Sequence, residues 1–333
     1  MLGVGIVGCG NFGAAHARAI RQCPDAEIVA FCDLVIDRAL SYRNMYGTSH
    51  DMVTTDYMDL VYCSDVDAVI IVTHHDSHVA IGVEAARAGK HVLTEKPVAL
   101  SFNECLRLYS ESRQAGIICH VGFKFRHSSV LDTIRDEIGC PAIIDGAAID
   151  SRWSDEYWAQ DPILGGGNVF SQGPHLLDSC IYLSNSRPIV VEALARTVTH
   201  DTGTDQAVVL LAFENNCIAS LAIGDSGLCG GGSSKWRVSV HGGKNTAHIS
   251  NHFRSAELLR KEGVKSIEHG PDNLVLLQDT DFVNCILSGG AIGRNDIASG
   301  VVVGFIMDAA INSSINSIPI KIEWDGNVPI SGG

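Results

Sequence analysis

Gly8, Gly10 and Gly13, in Gly8-Cys9-Gly10-Asn11-Phe12-Gly13, have the types and spacing needed to hold a pyrophosphate. The first glycine permits a tight turn after an apolar run, and the second lets the backbone approach phosphate oxygens. The third lets the following helix pack close to its strand, with the phosphates on the helix N-terminus. Asn11 and Phe12 lie in the same loop and join the candidate cofactor-binding residues. Asp33 follows Gly13 by 20 residues, at the end of the next apolar run. A carboxylate there can accept both hydroxyls of an adenosine ribose. It would also repel a 2'-phosphate, and Leu34-Val35-Ile36 brings no basic residue to offset that repulsion; Arg38 belongs to the next helix. The expected cofactor is NAD rather than NADP.

A parallel sheet must position such a loop, and the first 122 residues carry its pattern. Strand signals at Leu2–Val7, Glu27–Cys32, Ala68–Thr73, His91–Thr94 and Ile117–Val121 alternate with helical spacing at Asn11–Arg21, Ile36–Tyr46, Ser77–Ala88 and Ser101–Ala115. Ala68–Thr73 is β-branched without alternation, as befits a strand buried on both faces. The repeated β-α units predict a doubly wound Rossmann sheet over residues 1–122. The pattern then changes. Ala142–Ile149, Ile189–Thr199, Ala207–Phe213, Ile218–Ile223 and Trp236–His241 read as strands of a large, mainly antiparallel sheet. Gly165-Gly166-Gly167 and Gly230-Gly231-Gly232 mark loops, and helices are expected at Asn273–Ser288 and Ile297–Ser314. Residues 123–333 are therefore expected to form an α+β domain for substrate binding and oligomerisation.

Composition narrows the partners. A 333-residue chain with 46% hydrophobic and 19% charged residues is a folded globular protein of roughly two domains. The net charge of -14 argues against nucleic acid, which needs Lys and Arg to neutralise phosphates. The N-terminal apolar run has no basic segment before it and reads as a first strand rather than a signal peptide. No apolar run reaches the ~18 residues of a membrane helix, so no membrane partner is expected. The eleven cysteines contain no Cys-x-x-Cys pair, and several lie in apolar runs. Free thiols of this kind suit a reducing cytoplasm.

Thr73-His74-His75-Asp76-Ser77-His78 through Ala88-Gly89-Lys90-His91-Val92-Leu93-Thr94-Glu95-Lys96-Pro97 resembles the Gfo/Idh/MocA family of glucose–fructose oxidoreductases, inositol dehydrogenases and rhizopine-catabolism proteins. The similarity continues at Gly122-Phe123-Lys124-Phe125-Arg126. It resumes from Gly165-Gly166-Gly167-Asn168 through Ser171-Gln172-Gly173-Pro174-His175 to Asp178. These motifs cover both expected domains in the family's order.

The resemblance implies that Glu95-Lys96-Pro97 ends a sheet strand, with the proline often in a cis peptide, and that Lys96 faces the nicotinamide and the reacting hydroxyl. Chemistry agrees independently: hydride leaves a carbinol carbon only as its O–H proton is taken up, so a base is required. His175 falls on the family histidine that contacts the substrate hydroxyl and joins in proton transfer. The resemblance also places Glu95 beside the cofactor, and Arg126, Trp153, Tyr157 and Ser171 on the substrate side. Ser171 is a departure, because many members have an aspartate there, four residues before the histidine. A serine hydroxyl can hydrogen-bond a substrate but is no general base near neutral pH, which moves proton transfer onto Lys96 and His175. Thr73, His74 and His78 are read as lining the cofactor. Adjacent histidines converge poorly on one ion, so no metal is expected.

The expected activity is an NAD-dependent dehydrogenase interconverting a secondary hydroxyl and a ketone on a sugar, glycoside, nucleotide sugar or cyclitol. Two alternatives remain open. One is an enzyme that retains NAD and cleaves or epimerises a glycoside through transient oxidation, with Tyr157 as its acid or base. The other is a regulator that binds NAD without turnover. Family members bury the open face of the second-domain sheet by self-association, which implies a homodimer or homotetramer.

Overall fold

In the computed structural model, residues 1–201, 203–229, 235–270, 273–290 and 293–330 are described. The Gly230-Gly231-Gly232 segment lies outside them. The chain divides into two compact units. The first comprises Met1–Ala99, Asn103–Lys124 and Asp272–Val301, and the second comprises Leu100–Phe102, Phe125–Pro271 and Val302–Gly333.

The first unit holds a six-stranded sheet. Its elements run β1 (Leu2–Val7), α1 (Gly13–Ile20), β2 (Ala26–Cys32), α2 (Ile36–Tyr46), β3 (Met52–Thr54), α3 (Tyr57–Val61), β4 (Ala68–Ile71), α4 (His78–Arg87), β5 (His91–Thr94), α5 (Phe102–Ala115) and β6 (Cys119–Val121). The strand order is β3-β2-β1-β4-β5-β6 and every pairing is parallel. All residues of β1 and β4 are buried, which explains their unbroken apolar sequence. The order reverses between β1 and β4, where doubly wound sheets open a crevice at the carboxyl ends of their strands.

The second unit is built on a nine-stranded sheet. It contains α6 (Ser129–Ile138), β7 (Ile143–Ser151), α7 (Gly167–Ser184), β8 (Pro188–Arg196), β9 (Gln206–Phe213), β10 (Ile218–Gly227), β11 (Trp236–Gly242), β12 (Asn245–Ser250), β13 (Ser255–Arg260) and β14 (Gly263–Glu268). The later elements are α8 (Leu274–Leu287), α9 (Ile297–Asn316), β15 (Ile320–Lys321) and a small hairpin of β16 (Glu323–Asp325) and β17 (Val328–Ile330). The sheet order is β14-β13-β12-β11-β7-β10-β9-β8-β15. It is antiparallel except where β10 runs parallel to β7. Along β9, Ala207, Val209, Leu211 and Phe213 are buried while Val208 and Leu210 are exposed, so one face meets α7 and the core and the other stays open.

Two sequence expectations change. The helix expected near residue 273 is α8, and it belongs to the first unit rather than to the second. Its Phe282 and Val283 complete the core made by Leu2, Val4, Ile6, Ile20, Phe31, Ile70 and Leu93. The helix α9 is also long and apolar enough, by length and composition, to cross a membrane, contrary to the reading of the sequence alone. It is a core helix, with 72% of its apolar window buried.

The ring of Phe282 is fully buried. Phe282→Ala is therefore expected to destabilise the protein by about 3–5 kcal/mol, measured by urea unfolding. A loss below about 1 kcal/mol would mean that α8 is not part of that core.

Candidate functional site

The carboxyl ends of the parallel strands gather most of the expected cofactor residues along one edge of the first unit. Gly8, after β1, has φ +103°, and a Cβ there would overlap the Val72 carbonyl. Gly13 opens α1 so close to Gly8 that a Cβ would strike the Gly8 carbonyl oxygen. At Gly10, by contrast, an added Cβ would meet no atom within 4 Å. Gly8 and Gly13 make the turn and bring helix to strand, and the open space at Gly10 fits a diphosphate on the N-terminus of α1. Asp33 follows β2. Its Oδ2 accepts the Cys9 N–H at 2.8 Å and its Oδ1 the Val35 N–H at 2.9 Å, so the carboxylate also braces the glycine loop. Each oxygen keeps a lone pair for a ribose hydroxyl. Tyr42 donates its hydroxyl to the Gly10 carbonyl, and the Lys124 Nζ lies 4.6 Å from the centre of the Phe12 ring. These residues fit NAD.

Beyond β4, the Ser77 hydroxyl lies 2.8 Å from the His74 carbonyl, which accepts from it, and 2.7 Å from the Thr73 hydroxyl, shaping the turn. His74 is exposed on this turn. His78 differs from expectation. It is fully buried, with Nδ1 2.8 Å from the Pro97 carbonyl and Nε2 3.1 Å from the Thr73 carbonyl. Both neighbours are acceptors, and burial pushes the imidazole pKa down; a neutral ring has one N–H to offer. The buried His78 ring thus lies between the Thr73 turn and the Lys96-Pro97 corner. Among the described residues, no cluster of three His, Cys, Asp or Glu side chains is arranged to hold a metal ion.

Lys96 follows β5 and is partly exposed, and its bond to Pro97 is cis. Glu95, also expected beside the cofactor, is instead buried among charges that sequence reading missed. Its Oε1 lies 3.5 Å from His16 Nε2, and His16 Nδ1 lies 2.9 Å from Asp279 Oδ2 on α8. Gln278 donates to Asp279 at 3.3 Å, and Asn295 donates to Gln278 at 3.3 Å. Asp279 stands 263 residues from His16, a separation that no local pattern reveals. The available signal was a histidine and an aspartate inside otherwise apolar helical faces.

In the second unit, Gly166 and Gly167 adopt left-handed φ values of +76° and +87° and lead directly into α7. Ser171 and His175, both 6% exposed, sit one turn apart on that helix. His175 thus lies within the helix. The Phe125 ring centre is 4.8 Å from His175, and the Trp236 ring meets it edge-on at 5.8 Å. Trp153 packs edge-on against Tyr157 at 5.2 Å and donates Nε1–H to Asp150 at 2.9 Å. Asp150 pairs with Lys235, whose Nζ lies 5.6 Å from the Trp236 ring centre. Asp150, Lys235 and Trp236 are candidate site residues that no motif marked. A second cluster was also missed: His200, held 2.8 Å from Asp155 and 2.6 Å from the fully buried Asp225.

Arg126 was expected to bind substrate. The structure engages it with Asp178, whose carboxylate takes Nε and Nη2 at 2.7–3.0 Å. Burial pushes the Asp178 carboxyl up and the Arg126 guanidinium opposes that shift. The pair joins the turn after β6 to the middle of α7.

The family model described as the oxidoreductase family with an NAD-binding Rossmann fold matches residues 2–123, and that of the GFO/IDH/MocA C-terminal domain matches residues 135–248. The chain is 28% identical to the uncharacterized oxidoreductase YrbE of Bacillus subtilis over 335 residues, covering 96% of each. It is 32% identical to inositol 2-dehydrogenase of Salmonella typhimurium over 163 residues, covering 47% of this chain and 48% of that one. An aldose-aldose oxidoreductase from Caulobacter crescentus, solved with glycerol, superposes with a TM-score of 0.87 at 21% identity, covering 96% of this chain and 99% of the other.

Two substitutions test this geometry. Asp33→Ala should weaken NAD binding by about 1–3 kcal/mol in calorimetric titration, and tighter binding of NADP than of NAD by the wild type would contradict the role of Asp33. Arg126→Met strands the Asp178 charge and should cost about 3–5 kcal/mol of stability; normal stability with impaired substrate binding would return Arg126 to the substrate side.

Proposed function

The chain belongs to the Gfo/Idh/MocA family of NAD-binding oxidoreductases, and from that premise we propose a cytoplasmic dehydrogenase that interconverts a secondary hydroxyl and a ketone on a sugar, glycoside, nucleotide sugar or cyclitol. The observation that carries the reading is the placement of Lys96. It follows β5 on the sheet edge that also carries the Gly8–Gly13 loop and Asp33, the edge at which doubly wound sheets bind their ligands. Names among the relatives support the substrate class, since they include inositol and D-apiose dehydrogenases.

Bound NAD supplies the hydride acceptor. Lys96 takes the hydroxyl proton as the carbinol C–H bond breaks, and returns it in the reverse direction. His175, enclosed by Phe125 and Trp236, orients the substrate hydroxyl and shares in the proton transfer. Ser171, one turn earlier on the same helix, donates or accepts a hydrogen bond and leaves the base role to groups that titrate. The aromatic faces of Trp153 and Tyr157 suit the C–H faces of a polyol ring. Eleven free cysteines, most of them buried, support a reducing compartment. Leu194, Val208, Leu210 and Ile218 remain exposed on the second-unit sheet, and a homodimer or homotetramer would cover them.

The test is NADH formation with a panel of inositols, aldoses, glycosides and nucleotide sugars, followed by single-turnover kinetics with the best substrate. Lys96→Ala should cut hydride transfer by at least ~100-fold with little change in NAD affinity. Lys96→Arg should not restore it, because a guanidinium stays protonated. Near-normal transfer by Lys96→Ala would move the base role to His175.

A further inference from the structure

Three buried ionisable side chains from separate stretches of chain meet inside the first unit, and none of them has a part in the chemistry proposed above. His16 on α1 and Asp279 on α8 are 0% exposed, and Glu95 is 6% exposed. His16 offers Nδ1 to Asp279 and Nε2 to Glu95. Among the described residues, neither Nε2 nor Glu95 Oε1 has a closer polar partner than the other. Glu95 Oε2 accepts the Lys96 main-chain N–H at 3.2 Å. Room for this carboxylate depends on Gly122, where a Cβ would overlap Oε1.

Two carboxylates buried together are costly unless a cation lies between them. Burial alone disfavours an imidazolium, but Asp279 foremost, and Glu95 with it, overcome that and push His16 up to about 10. Burial likewise pushes Glu95 up, and His16, with smaller help from Lys96 and Lys124, holds it below the usual carboxylate range. Asp279 and Glu95 face His16, with the Phe12 ring 5.5 Å away; Lys96 after β5 and Lys124 after β6 act on Glu95, and Gln278 on α8 bonds Asp279.

We propose that His16 is a positioning residue that acts on Lys96 through Glu95: its imidazolium keeps the Glu95 carboxylate ionised and fixed at the Lys96 backbone, and so sets the pH at which the lysine releases its proton. The inference rests on the reading of Lys96 as the proton-transfer group. The sign is definite. An ionised carboxylate nearby favours the ammonium form of lysine, offsetting the repulsion from a nicotinamide cation. Without the imidazolium, buried Glu95 becomes neutral, and Lys96 loses its proton at lower pH.

The pair His16→Gln with Asp279→Asn removes one positive and one negative charge and leaves the buried net charge unchanged. The pH midpoint of Lys96 can be read without turnover, from trace acetylation by acetic anhydride across a pH series, quantified by peptide mass spectrometry on the full-length protein. The midpoint should fall by about one pH unit in the pair variant, the low end of the effect of a neighbouring opposite charge. The acidic limb of the oxidation rate should move with it. Glu95→Gln provides the same test without touching α1 or α8, should give the same fall, and should not add to that of the pair. An unchanged midpoint in Glu95→Gln, or in a folded pair variant, overturns the proposal. A shifted midpoint in a protein that reduces no NAD would uphold the coupling and refute the dehydrogenase reading instead.

Discussion

His16, held between the buried carboxyl groups of Glu95 and Asp279, joins three stretches of chain: α1, which follows the glycine loop, the residues after β5, which include Lys96, and α8. His16 and Asp279 are fully enclosed and Glu95 nearly so, so loss of one charged partner is costly to the others. This requirement helps to explain why α8, which follows the second-unit sheet in sequence, returns to pack on α1. Its apolar residues Phe282 and Val283 fill the first-unit core while Asp279 meets His16. One helix therefore provides both packing and charge.

The first unit divides its work between backbone and side chain. The glycines shape the loop and leave open space at Gly10, and Asp33 braces it by accepting the Cys9 N–H; in the proposed reading these hold the diphosphate and the ribose. His78 and Glu95, both expected beside the cofactor, are buried: the His78 ring lies between the carbonyls of Thr73 and Pro97, and Glu95 accepts the Lys96 N–H. The second unit has its own inner frame. Arg126 and Asp178 tie the turn after β6 to α7, and His175 on that helix lies against the rings of Phe125 and Trp236. Asp150 pairs with Lys235, and His200 lies between the carboxylates of Asp155 and Asp225.

Much of this was legible in the sequence where a local rule governs. The glycines of the loop are dictated by atoms a few residues away, and β1, α2 and β5 have the limits that their apolar spacing predicts. Short elements escaped: β3 and α3 are too brief to show a period, and α6 carried no cap signal that was read. The strands β12, β13 and β14 are amphipathic and separated by turns, and they did not stand out from loop. Direction was also hidden, because alternation shows which residues face the core but not that β10 runs parallel to β7. The buried ion cluster was least legible of all. His16 and Asp279 look like isolated polar residues until the fold brings them together, and Lys235 and Asp150 follow the same rule.

Isotope transfer from substrate to cofactor is the most direct measurement. The protein would be incubated with unlabelled NAD and a polyol deuterated at its carbinol carbons, and the reduced cofactor weighed by mass spectrometry. A dehydrogenase of the kind proposed here yields NADH one mass unit heavier than the unlabelled form, in step with the ketone produced. Ketone formed alongside unlabelled NADH, or conversion of the polyol with no free NADH at all, would contradict it.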